Sequence, residues 1–180
     1  MKSSNWLMIP AIIIPAAISA PAFAVQYLSV EQAQKTLFPE ASHFVPADIT
    51  FTPEMKQQIE KSSGVRVRNQ AQQVWRVETN NKTIGWFVLD EVIGKHEFIT
   101  YAVALSADGT VKGIDILDYR ETHGGEIKNA KWRAQFTGKK NGDALRLDDD
   151  IKNISGATLS CKNITNGVKR ILATYQVALK

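Results

Sequence analysis

Cysteine is the residue this chain of 180 almost lacks. Its only one is Cys161, so no disulfide can form within the chain, and the Cys-x-x-Cys-His needed to attach a c-type haem is absent. No run of like charge stands out either. Lysine and arginine total 22 against 18 aspartate and glutamate, a formal balance of +4 without the concentrated basic patch that nucleic acid requires. Long apolar runs are scarce as well. The one at the N-terminus, Trp6 to Ile18, is interrupted by Pro10 and Pro15, is followed by Pro21, and falls short of the roughly 20 residues a spanning helix needs. With Lys2 before it and Ala22-Phe23-Ala24 after it, residues 1–24 read as a secretory signal peptide cut after Ala24. Export to the periplasm is the expected location. There is no internal repeat, and His96, His123, Glu121 and Glu126 lack any standard metal-ligand spacing, so no metal is expected.

What remains after the cut fits one mildly basic domain with a real core, divided into an N-terminal helical segment, 25–64, and a main domain, 65–180. Ser29-Val30-Glu31-Gln32 has the form of a capping box and opens a short helix that Pro39 stops. Thr52-Pro53-Glu54 starts a second, expected over 53–62. Extended runs rich in β-branched and aromatic residues follow at 73–79, 83–90, 97–105 and 111–118. The turn sequences Asn80-Asn81 and Ser106-Ala107-Asp108-Gly109 join them into hairpins. Alternation in the last run predicts a sheet with one face covered by helices. Residues 128–136 predict a short helix, and 138–150 a polar loop. From Ser160, Ile164, Val168, Ile171, Leu172 and Tyr175 fall at helical spacing and predict a long C-terminal helix. The fold class is therefore α+β: an antiparallel sheet of hairpins packed with a long C-terminal helix and short N-terminal helices.

Two motifs bracket the sheet's end and this helix. Ser155-Gly156-Ala157-Thr158-Leu159-Ser160 places small residues at a helix N-terminus, where unpaired N–H groups and a partial positive charge suit a phosphate; the same string also reads as an ordinary capped turn. Upstream lies the loop Glu121-Thr122-His123-Gly124-Gly125-Glu126. Taken in order with Trp132 and Gln135-Phe136 between them, these motifs resemble the FMN-binding domain family over about residues 75–178. The family includes the C subunit of sodium-pumping NADH:quinone oxidoreductase and the G subunit of the Rnf electron-transport complex, and the chain looks closest to its small exported flavoproteins.

The resemblance implies an electron-transfer flavoprotein whose FMN is joined through a phosphodiester to Thr158 by a flavin transferase. Ser155, Gly156 and Ala157 would shape the turn around the phosphate, with Leu159 following, and Glu121, Thr122, His123, Gly124 and Gly125 would lie over the flavin ring. A covalent tether keeps the cofactor at high effective concentration outside the cytoplasm. The implied partner is a redox protein, either a cytochrome or a membrane electron-transport complex. Reversible FMN binding and a place as the flavin subunit of a reductase are the alternatives, with no catalytic residue assigned. Lys152 stands where the family has an acidic residue, and His123, Gly125 and Glu126 replace its proline, leucine and final glycine. Trp132, Tyr119 and Trp86 are aromatic candidates for contact with the ring, or ordinary core residues; Lys162, Arg133 and Lys128 are candidate phosphate partners, or solvated helix charges. Cys161 reads as a buried small hydrophobe.

Overall fold

The structure, a computed structural model, describes residues 28–180. The signal-peptide reading of residues 1–24 lies outside them. Helix α1, Val30–Leu37, begins with the full capping box: Ser29 Oγ accepts from the Gln32 N–H, and the Gln32 side chain accepts in return from the Ser29 N–H. Helix α2, Pro53–Ser63, is capped by Thr52 and ends at Gly64 in the left-handed region.

Four long strands form the centre of the molecule: β3, Ala71–Thr79; β4, Lys82–Ile93; β5, Phe98–Ser106; and β6, Val111–Tyr119. All neighbours are antiparallel. Asn80 and Asn81 both take positive φ, at 49° and 60°, as a two-residue hairpin turn with the correct twist demands. Two further strands, β1 (His43–Pro46) and β2 (Ile49–Thr50), pair with β3, giving the order β1-β3-β4-β5-β6 with β2 beside β3. Neither is expected from the sequence of 25–64: each is short, and β1 ends in a proline that suits only an edge.

The chain then runs through a 3₁₀ turn at Gly125–Lys128, helix α3 at Ala130–Arg133, and a second 3₁₀ turn at Ala134–Phe136. The single helix expected over 128–136 is thus broken, because Asn129 leaves helical dihedrals and its side chain caps the next turn by accepting from the Lys131 N–H. Helix α4, Thr158–Thr174, continues into a π-helical turn at Tyr175–Leu179. It starts two residues earlier than expected: Ala157 is the cap residue, and Ser160 is buried inside the first turn.

Both faces of the sheet are covered, not one. Helices α2 and α4 bury Ile59, Ile164, Val168 and Ile171 against Val74, Val103 and Ile114 on one side. On the other, Ala33 of α1 and Phe38 pack on Val77, Phe87, Ala104 and Leu117. Double coverage explains the imperfect alternation of β6, where Ile114, Asp115, Ile116 and Leu117 are all buried. The one charge among them, Asp115, meets Arg133 at 2.6 Å.

Candidate functional site

At one end of the sheet, the loop after β6, the turn before α4 and the tip of the β4–β5 hairpin enclose a cavity of about 290 Å³. Glu121, Thr122 and His123 form one wall, Gly156 to Ser160 another, and Lys95 and His96 the third. Two motifs well separated in the chain thus share one site.

The cavity is built on contacts between main chains. Gly124, at φ +85°, lies directly against Ala157, and any Cβ there would collide with the Ala157 methyl and the Tyr119 hydroxyl. Only glycine allows both the conformation and the approach. The Tyr119 hydroxyl donates to the His123 carbonyl, anchoring the loop to the end of β6. Glu121 acts at the third wall: one carboxylate oxygen accepts from the backbone N–H groups of Lys95, His96 (2.6 Å) and Glu97 (3.1 Å). Burial of this carboxyl opposes its charge, but the three donors and nearby His96 outweigh that and hold it below the ordinary carboxylate range.

At the second wall, Gly156 turns the chain at φ +81° and Ala157 leads into α4 without any side-chain cap. The first-turn amides therefore end in the wall of the cavity, a ready site for an anion. Thr158 is exposed there, its Oγ1 accepting a 3.1 Å hydrogen bond from Asn153 Nδ2. The approach to this turn is held firmly. Gln135 Oε1 accepts from the Lys152 N–H, and Trp132 Nε1 donates to the Lys152 carbonyl, each at 2.8 Å. The Lys152 side chain itself is exposed.

Of the residues expected at the site, Glu121, Thr122, His123, Gly156, Ala157, Thr158 and Leu159 line the cavity, and Gly124 packs beneath it. Ser155 and Gly125 stand outside its lining, and Glu126 borders a separate cleft with Trp132 and Lys152. None of the three aromatic candidates reaches it. Trp132 is buried edge-to-face on Phe136 at 5.2 Å, Tyr119 is used as an anchor, and Trp86 packs along the core. Among the cationic candidates, Arg133 is committed to Asp115 and the Ile114 carbonyl, while Lys128 and Lys162 lie off the lining. Cys161 is fully buried, and burial pushes its thiol above the usual range. The sequence gives no sign of Lys95 and Asn153 at this site and brings in His96 only among possible metal ligands, since none belongs to either motif. The only sequence signal for Lys95 and His96 in this wall is Glu121, a carboxylate in a loop that requires donors from somewhere.

A phosphate-bearing group fits this donor set: an uncapped helix start, a glycine turn and an exposed hydroxyl in one wall, facing a loop of backbone polar groups. The family model described as FMN-binding domain matches residues 94–173, which span all three walls. These residues are similar to that family. Relatives of the chain include the G subunit of a Na(+)-translocating ferredoxin:NAD(+) oxidoreductase complex from Acetobacterium woodii, 27% identical over 80% of this chain and 72% of that protein. The G subunit of the proton-translocating counterpart from Clostridium ljungdahlii is 35% identical over 53% of this chain and 55% of its own length. The C subunit of the Na(+)-translocating NADH-quinone reductase from Pasteurella multocida is 32% identical over 59% and 48%. The chain thus spans about half the length of the last two. The crystal structure of Shewanella oneidensis NqrC shares the fold, with a TM-score of 0.54 at 19% identity over 79% of this chain and 84% of that one.

Proposed function

We propose that this chain is a periplasmic electron-transfer flavoprotein, exported by residues 1–24, that holds FMN in the cavity through a phosphoester to Thr158. The observation that carries the reading is the position of the Thr158 hydroxyl, exposed at an uncapped helix start in the same cavity as the Glu121–His123 loop. FMN, when bound, supplies one- and two-electron chemistry; the protein supplies position and access. The amides at the start of α4 and the turn at Gly156 would hold the phosphate, and the helix dipole favours its charge. Asn153 orients the Thr158 oxygen that a flavin transferase would esterify. The loop wall, fixed by Glu121 and Gly124, would set how much of the ring meets solvent. Thr158 is a linker and not a catalyst. The named relatives are subunits of electron-transport complexes, which supports a membrane complex or another redox protein as the partner.

Coexpression with a flavin transferase and export, followed by a denaturing gel, tests this. A fluorescent flavin band is expected for the wild type and none for Thr158→Ala; a dark wild-type band ends the covalent reading. Reversible FMN binding is the second reading, favoured by Lys152, exposed where the resembling family has an acidic residue. It predicts yellow native protein whose flavin passes a filter after unfolding.

A further inference from the structure

Three large apolar side chains are exposed among the described residues: Ile93 at 42%, Phe98 at 58% and Leu159 at 48%. All three lie at the cavity end of the molecule. Ile93 and Phe98 are cross-strand partners at the tip of the β4–β5 hairpin, directly flanking the turn that carries Lys95 and His96. Leu159 stands on the cavity wall, and Asn163, one helical turn further along α4, donates at 2.8 Å to the Ile93 carbonyl and ties helix to hairpin. Beside them opens a second cleft of about 650 Å³, lined by Ile93 and Phe98 together with Arg66 and Arg68 from the segment between α2 and β3.

The charges here are unevenly used. Arg66 and Arg68 form no ion pair among the described residues. Arg170, also on the cleft, is engaged at 2.5 Å by Asp90. Of the nearby carboxylates, Glu121 is occupied by three backbone amides, leaving Glu91 on the cleft and Glu97 on the hairpin turn against Arg66, Arg68 and Lys95. An apolar centre spread across two cleft mouths, flanked by unpaired guanidinium groups, has the anatomy of a protein-docking surface, in which charges select and steer the partner.

We propose that the surface formed by Ile93, Phe98, Leu159, Arg66 and Arg68 docks a redox protein whose cofactor edge is bordered by carboxylates. It rests on the electron-carrier reading above, because that reading gives the cavity a reason to face a partner. The apolar trio excludes water next to the cavity, while Arg66 and Arg68 pair with carboxylates on the partner's rim.

The test is calorimetric titration of the full processed chain with cytochrome b5, whose haem edge carries carboxylates, and with cytochrome c, whose haem edge carries lysines. The wild type is expected to bind cytochrome b5 at low ionic strength and at least tenfold more weakly at about 0.5 M salt, as screening dictates. The double variant Arg66→Glu/Arg68→Glu should lose at least tenfold in affinity, and Phe98→Ser should weaken binding with unchanged salt dependence. All three substitutions are on exposed side chains, and unchanged circular dichroism will show that the fold is intact. The flavin-free chain, produced without a flavin transferase, should bind cytochrome b5 as the wild type does, so a failure of flavin attachment leaves this measurement standing. Equal affinity for cytochrome c, an unaltered affinity in the double variant, or binding to phosphatidylglycerol vesicles in place of cytochrome b5 would overturn the proposal.

Discussion

At the scale of single residues, Glu121 illustrates how a side chain can serve a site by holding its wall in place. Its carboxylate gathers three backbone N–H groups of the β4–β5 turn and thereby fixes the wall that carries Lys95 and His96. A carboxyl held below its ordinary range stabilises the fold above the unfolded-state value of about 4.3, and that contribution disappears as pH falls through the lowered folded-state value. Glu121→Ala should therefore cost about 1 kcal/mol at pH 7, discounted for solvent access, or about 2–4 °C in Tm. Thermal melts should show the variant and the wild type converging as the pH is lowered below the ordinary glutamate range. Hydrogen exchange at the amides of Lys95, His96 and Glu97 should quicken in the variant at neutral pH. Unchanged exchange there would mean that the turn holds itself.

At the scale of elements, the docking of α4 on the sheet depends on one missing side chain. Gly167 faces the Tyr101 hydroxyl, and a Cβ there would overlap it and stand 3.2 Å from Asp90 Oδ2. That hydroxyl donates to Asp90, which also receives Arg170 from the same helix, so the close approach seals a buried polar group beneath α4. Burial raises the Tyr101 hydroxyl well above its usual range, and the Asp90 charge adds to this, so tyrosine remains the donor. Gly167→Ala gains helix propensity of roughly 1 kcal/mol but must push helix from sheet, and the net loss should be on the order of 1–3 kcal/mol in denaturant unfolding. A stabilised variant would show that the helix has room to move.

Elements of this length are also what sequence reveals best. The helix caps at Ser29 and Thr52, the Asn80-Asn81 turn and the stripe Ile164, Val168, Ile171 are local signals, and the helices and hairpins they predict are present. Helix α4 begins ahead of Ser160, where the helical spacing starts, because Ser160 is turned inward and the Ala157 carbonyl already accepts the Cys161 N–H at 2.9 Å. Strands β1 and β2 have too few residues to show a period, and they exist because β3 offers an unpaired edge.

At the scale of the whole molecule, the cavity is a meeting of three distant segments, and only two of them carry a recognisable pattern. The loop at 121–124 and the turn at 156–160 are legible because small residues and glycines mark places where main chain must come close. The hairpin wall is not, because its contribution is a row of backbone amides, which every residue except proline possesses. Trp132, open in sequence between ring contact and core packing, is packed in the core. Trp132 supports the route to Thr158 from below, through the Lys152 carbonyl, and its indole faces Phe136.

The central claim is one bond between Thr158 and a flavin phosphate, and intact mass spectrometry of the exported chain, made together with a flavin transferase, tests it most directly. The account predicts the mass of residues 25–180 increased by one FMN less one water, with the increment absent in Thr158→Ala. A wild-type mass equal to the polypeptide alone would contradict it.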